Sequence, residues 1–191
     1  MFSLPKDLLI IDTETTGIAS NASIIQLGAV IFEKSGKLCN TEFNQYIIPY
    51  TLNWEKEASK IHKLTRPFLI KNGYQLKDAI EDFEDWANCF GMFELKKKYW
   101  LAQWSGNGFD TNMLQNAYAI LKRPYPFHYR VIDISSIVRM ELANRGKLKV
   151  TCGLTDCAEA LGIDVDENKL HDGLYDARLS GQLLEQLVRE A

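Results

Sequence analysis

The residues best suited to chemistry follow the apolar run Leu8-Leu9-Ile10-Ile11, in the segment Asp12-Thr13-Glu14-Thr15-Thr16-Gly17. Strand residues two apart project from one face, so Asp12 and Glu14 present two carboxylates side by side. Neighbouring carboxylates repel unless a cation lies between them. A hard divalent ion such as Mg²⁺ or Mn²⁺ suits oxygen ligands and bridges readily to phosphate. The spacing alone is weak evidence, because 25 acids in 191 residues give roughly three such pairs by chance. The setting strengthens it: Ile10 and Ile11 bury the strand, and Thr15-Thr16-Gly17 offers small groups and a pliant backbone where a ligand can come close.

Two further acidic positions share that character. Asp110 follows a buried-strand candidate in Trp104-Ser105-Gly106-Asn107-Gly108-Phe109-Asp110, where the ordinary role of an aspartate is to cap a helix. In His171-Asp172-Gly173-Leu174-Tyr175-Asp176, His171 precedes the last helix and Asp176 falls within its first turns. An acid among Leu174, Tyr175 and Ala177 on a helix that must pack is costly to bury unless it is paired or bound to metal.

The elements that must position these groups form a mixed α/β pattern. Leu8 to Asp12, Ser23 to Phe32 and Thr41 to Ile48 read as three strands in an antiparallel meander, with a turn at Ser35-Gly36. After Pro67 the period becomes helical, with Leu76, Ile80, Phe83 and Ala87 on one face and Asp78, Glu81, Asp82 and Asp85 on the other. Tyr99 to Trp104 predicts a buried strand, and Thr111 to Leu121 a helix with Met113, Leu114, Ala117 and Ile120 on its stripe. Val131 to Asp133 is a further short strand, leading into a helix that carries Ile134, Ile137, Val138 and Leu142. Leu154 to Leu161 is helical, and Asp172 can cap a last helix lined by Leu174, Ala177, Leu183, Leu184 and Leu187.

A chain of 191 residues with 46% hydrophobic and 25% charged residues, 12 Gly and 5 Pro is an ordinary globular protein, read as one domain over 1–191. No signal-peptide or membrane-spanning run appears, so the expected location is soluble and cytoplasmic. A net charge of −3 argues against a broad basic face coating nucleic acid, though not against a local site for a strand end. Cys39, Cys89, Cys152 and Cys157 show no C-x-x-C spacing and read as reduced thiols. Lys96-Lys97-Lys98 reads as a solvated run, and Arg139, Arg145, Lys147 and Lys149 as the better candidates for phosphate contacts.

Taken in order, Asp12-x-Glu14, Phe109-Asp110 and His171-x-Gly-x-x-Asp176 resemble the motifs of the DEDDh (DnaQ-like) 3′→5′ exonucleases of the ribonuclease H-like fold. The resemblance runs from about Leu8 to Val188. Ile61-His62-Lys63-Leu64-Thr65 is similar to the family's I-H-x-[IL]-T segment, Asp133 falls where the family often has an Asp, and Leu154 to Ile163 resembles its helix ending in L-G-I. Two departures stand out: Ser105 and Gly106 replace the usual H-N of the second motif, and Gly173 replaces Ala in the third, which should loosen that helix start. A sister group has Tyr four residues before the last Asp, where this chain has Asp172, so the histidine type is indicated.

The resemblance implies an α/β fold with a mixed sheet of about five strands, an antiparallel meander followed by parallel strands, flanked by helices. It implies two Mg²⁺ or Mn²⁺ ions, one held by Asp12, Glu14 and Asp176 and the second by Asp12 with Asp110. Such ions activate a water and stabilise the leaving 3′ oxygen. His171 becomes the general base, with an ordinary pKa near 6.5 suited to that task. The backbone at Thr15 and Thr16 and the side chain of Ile18 touch the terminal sugar and base, with Phe109 a further contact. Trp104 and Phe109, as aromatics beside a buried strand, also fit a core role. His62, beside Ile61 and Leu64, and His128, among Tyr125, Pro126, Phe127 and Tyr129, read as packed or surface histidines.

The implied substrate is the 3′ end of single-stranded nucleic acid, released as 5′-mononucleotides, with DNA slightly favoured and an RNA-trimming activity as the alternative, since no motif here reads the 2′-OH to decide between them. A non-catalytic binding module or polymerase accessory is the reading from another class. The complete set Asp12, Glu14, Asp110, His171 and Asp176 favours the enzyme. A polymerase or a second copy of the chain are candidate partners that no motif marks.

Overall fold

Four consecutive apolar residues open β1 (Leu8–Thr15), a pattern suited to a strand covered on both faces. A computed structural model describes residues 4–90, 98–104 and 107–190. In it, Leu9 and Ile11 enter one core, while Leu8 and Ile10 enter another on the opposite face. β1 pairs antiparallel with β2 (Ile24–Phe32), which pairs antiparallel with β3 (Leu38–Tyr46). On its other side β1 pairs in parallel with β4 (Leu101–Gln103), and β4 in parallel with β5 (Val131–Asp133). The sheet order β3-β2-β1-β4-β5 is the expected meander followed by parallel strands. β2 is buried along its whole length, whereas β3, at the edge, is largely half-exposed.

Two short helices, α1 (Lys56–His62) and α2 (Arg66–Asn72), link the meander to the rest. Neither is predicted from the sequence, because seven residues make two turns and show little amphipathic period. α2 is nevertheless well marked: Thr65 caps it, accepting from the Phe68 N–H, and Pro67 occupies its first turn. α3 (Leu76–Asn88) buries Leu76, Ala79, Ile80, Phe83 and Ala87 as the helical period predicts. It shares its core with Met113, Leu114, Ala117 and Tyr118 of α4 (Phe109–Ile120). The opposite face is covered by α5 (Ile134–Asn144), α6 (Leu154–Ala160) and α7 (Gly173–Glu190).

The two apolar stripes are narrower than expected. Ile120 is 52% exposed and Ile137 43% exposed, each falling outside the buried arc of its helix. β1 runs three residues beyond Asp12, so the acidic pair lies within the strand and not past its end. Lys96, Lys97, Ser105 and Gly106 lie outside the described residues. Among the described residues, no helix is long and apolar enough to cross a membrane.

Candidate active site

Alternation along β1 divides its polar end between the two faces. Asp12 and Glu14 share the parity of Leu8 and Ile10 and project toward α7, while Thr13 shares that of Leu9 and Ile11 and projects toward α4. Opposite Asp12 in the ladder stands Gly28, and a Cβ there would overlap the backbone of Gly173. That missing side chain lets the first turn of α7 lie directly on β1 and β2. Gly173 serves the same approach, because a Cβ on it would sit 3.2 Å from the Asp12 carbonyl oxygen and 3.4 Å from the Gly28 nitrogen. Gly173 thus allows tight docking, where the sequence alone suggested only a looser helix start.

Hydrogen bonds fix the start of α7. Asp172 caps it as predicted, with Oδ1 accepting from the Tyr175 N–H at 3.1 Å. Its Oδ2 accepts from Gln26 Nε2 at 2.9 Å, and the Gly173 N–H donates to Gln26 Oε1 at 3.2 Å, so one buried amide of β2 ties down the whole turn. His171 adopts a left-handed backbone conformation, φ 63°, which costs a non-glycine residue about 1 kcal/mol or more and is typical of functional sites. In that conformation its N–H donates to Asp176 Oδ2 at 3.1 Å. Asp110 is not the N-cap of α4; Gly108, at φ 72°, takes that position. Asp110 instead turns into the protein, where its Oδ1 accepts from the Thr13 N–H at 3.0 Å and from Thr13 Oγ1 at 2.8 Å.

The electrostatics follow from crowding acids into one cleft. Burial, followed by repulsion from Asp110, Asp176, Glu14 and Asp172, holds Asp12 well above the usual carboxylate range. Burial, with Asp176 and Asp110 nearby, pushes Glu14 up to about 8. Burial raises Asp176 to about 6 against the pull of the His171 N–H, and raises Asp110 against the pull of Thr13. His171 is shifted the other way, lowered by burial and by the Lys63 charge, so its neutral form prevails at neutral pH. Asp172, read from the sequence only as a cap, is a fifth acid at this site, as its effect on Asp12, Glu14 and Asp176 shows.

This donor set fits a divalent cation. Asp176 Oδ1 is buried with no hydrogen-bond partner. Among the described residues, no Lys or Arg forms an ion pair with Asp12, Glu14, Asp110 or Asp176. Ligand atoms of Glu14, His171 and Asp176 all lie within 4.8 Å of one another. A cluster of carboxylates with no ion-pair partner among the described residues fits a cation supplied from outside.

The remaining predicted positions divide. Thr15 and Thr16 are buried beside Glu14; Thr15 Oγ1 donates to the Gly17 carbonyl, and Thr16 Oγ1 accepts from the Ser23 N–H. Ile18 stands 82% exposed. Phe109 and Trp104 pack partly buried against the two cores, and Arg139 stacks on Trp104 while donating to Cys152 O and Ser135 Oγ. Arg145 is committed to Glu141 and Glu190, which removes it as a phosphate contact. Asp133 caps α5. His62 is packed, its Nδ1 accepting from the Leu64 N–H, and His128 accepts from the Arg130 N–H and stacks on Tyr129. Sequence reasoning missed Thr13 and Gln26 because each acts through partners 97 and 146 or 147 residues away.

The model of the exonuclease family designated RNase_T matches residues 9–184. No curated protein sequence matches the chain. Among solved structures, the nuclease domain of 3′hExo, described as a DEDDh family member bound to rAMP, superposes with a TM-score of 0.75 at 20% identity, over 97% of this chain and 93% of that one. Cell-death related nuclease 4 (CRN-4) gives 0.78 at 17% identity, over 97% of this chain and 64% of its own. The zinc-bound E. coli ExoI–ssDNA complex gives 0.75 at 17% identity, over 98% of this chain and 41% of its own. The chain therefore spans less than two thirds of CRN-4 and under half of that exonuclease I chain. These likenesses bear out the ribonuclease H-like sheet.

Proposed function

The chain belongs to the exonuclease family, and from that premise we propose that it is a metal-dependent 3′→5′ exonuclease acting on single-stranded nucleic acid. In this reading residues 1–191 form one catalytic domain, acting in the cytoplasm, where its four free thiols stay reduced. The observation that carries the reading is the unpaired set Asp12, Glu14, Asp110 and Asp176, drawn from three elements and held at raised pKa beside a neutral His171.

Asp12, Glu14 and Asp176 would hold one Mg²⁺ or Mn²⁺ ion, and Asp12 with Asp110 a second. When bound, the ions lower the pKa of a water and offset charge on the departing 3′ oxygen. The chain's own residues do the rest. His171 accepts the proton of the attacking water at a ring nitrogen; its lowered pKa keeps that nitrogen free near neutrality. Its left-handed backbone, locked by the bond to Asp176, fixes where the ring can reach. Thr13 holds Asp110 in place, and the Thr15–Ile18 turn receives the terminal nucleotide. The neighbours described with single-stranded DNA and with rAMP support a strand-end substrate of either sugar.

The test is turnover of matched 5′-labelled single-stranded DNA and RNA with Mn²⁺ and with excess chelator. The expected result is a ladder of shortening products, release of 5′-mononucleotides, and no reaction on a circular strand or in chelator. Rapid cutting of the circle, or full activity in chelator, contradicts the reading.

A further inference from the structure

Ile18 combines two features that seldom occur together: a large apolar side chain 82% exposed, and a backbone that is firmly tied. On the inner side of the turn, the Thr16 N–H donates to Ser23 O at 2.9 Å and the Ser23 N–H returns to Thr16 Oγ1 at 2.8 Å. Thr15 Oγ1 donates to Gly17 O at 2.8 Å, and from across the chain the turn is held by Glu55. Its N–H donates to Thr16 O at 2.7 Å, its Oε2 accepts the Ile18 N–H at 3.3 Å, and its carboxylate lies flat against Gly17, where a Cβ would overlap it. Glu55 is itself anchored as the N-cap residue of α1, its carbonyl accepting from both Ser59 N and Ser59 Oγ.

A carboxylate here is ill-suited to meet phosphate, and among the described residues it has no Lys or Arg ion pair. Its contacts are with the turn. Ordering a backbone to hold an apolar side chain in water gains nothing for the free protein, since both the ordering and the exposure are unfavourable. It gains when a flat apolar surface, such as a nucleobase, covers that side chain.

We propose that Glu55 is a positioning residue for the terminal nucleotide: it fixes the Thr16–Ile18 turn so that Ile18 is preset to pack on the base. The inference rests on the reading of this cleft as a strand-end site. Glu55 touches Ile18 and Gly17, not the substrate, and it lowers the ordering cost of binding without entering the chemistry.

The experiment compares wild type with Glu55→Ala, Glu55→Gln, Gly17→Ala and the double variant Glu55→Ala/Gly17→Ala. It reads KM and kcat on a 5′-labelled single strand, the Kd for AMP and dAMP, and Mn²⁺ affinity. Glu55→Ala should raise KM and nucleotide Kd about tenfold, the worth of one hydrogen bond to a charged group, with kcat and Mn²⁺ affinity close to wild type. Glu55→Gln keeps an acceptor oxygen and should recover most of the loss. Gly17→Ala should match Glu55→Ala by pushing the carboxylate off the Ile18 N–H, and the double variant should be no worse than either single one.

Unchanged KM and Kd in Glu55→Ala, effects that multiply in the double variant, or a fall in kcat together with Mn²⁺ affinity would overturn the proposal. If Glu55→Ala does not fold, Gly17→Ala decides: wild-type KM and Kd in that variant overturn it equally. A wild-type protein that hydrolyses no strand end removes the exonuclease reading and this inference together. An active wild type with indifferent variants removes the inference alone.

Discussion

Two groups of carboxylates in this molecule meet opposite fates. At the outer ends of α5 and α7, Arg145 lies between Glu141 and Glu190, and its hydrogen bonds draw both below the usual carboxylate range. Between α3 and the chain following α4, Arg123 bridges Glu81 and Glu84. In the cleft beside β1, Asp12, Glu14, Asp110 and Asp176 crowd together with no such partner among the described residues, and burial drives all four upward. The same chemical group is stabilised in one place by a cation of the chain and left destabilised in the other. A fold that pairs these outer acids and leaves the cleft carboxylates without a cation stores electrostatic strain where an external cation can relieve it.

The contrast breaks most completely at Asp12, the acid with the most acidic neighbours. Asp12→Ala should reduce strand hydrolysis to background and cut Mn²⁺ affinity in calorimetry, while the apo protein melts at a higher temperature because repulsion is relieved. A lower apo melting temperature would show that the cluster is not strained. His171 sharpens the contrast by separating proton transfer from ligation. His171→Ala should lose about 10²- to 10⁴-fold in turnover and retain Mn²⁺ affinity. Because His171 stands within ligand distance of Glu14 and Asp176, a loss of metal affinity matching that of Asp12→Ala would make it a ligand.

The next effect is on stability. Glu14 and Asp176 have folded pKa values raised to about 8 and about 6, so the native apo protein binds more protons than the unfolded chain across that range. Stability of the metal-free protein should therefore fall as pH rises from about 5 to about 8, by on the order of 5 kcal/mol, and Mn²⁺ should restore it. Denaturant melts with and without the ion measure this; apo stability that climbs over the window contradicts it. The smallest effect belongs to the paired region. Arg123→Ala should cost about 1 kcal/mol or less, vanish in high salt, and leave strand hydrolysis unchanged.

Much of this was legible in the sequence for a physical reason. Asp176 conflicts with the apolar pattern around it, and such a conflict is visible without coordinates, while Asp12, Glu14 and Asp110 became legible through the order of their motifs along the chain. Strand and helix periods located the apolar faces of the longer helices and the order of β1 to β5 in the chain. What stayed hidden depends on contact between distant segments. Gln26 is an ordinary polar residue in a strand until Gly173 and Asp172 arrive beside it. Gly28 reads as a weakness in β2, whereas it is the gap through which α7 reaches Asp12. Glu55 carries no motif at all; its significance comes from the bond to the Ile18 N–H across 37 residues. Local sequence gives Asp110 the ordinary role of a helix cap, whereas Thr13, pointing to the other face of β1, turns its carboxylate into the protein.

The most direct test of the central claim, that the unpaired acids form a metal centre, is a calorimetric Mn²⁺ titration at about pH 6.5 and about pH 8.5, each in two buffers of different ionisation enthalpy. The account predicts that binding releases protons, more at the lower pH where Glu14 is still protonated, and that affinity rises with pH. Absence of Mn²⁺ binding, or binding with no proton release at either pH, would contradict it.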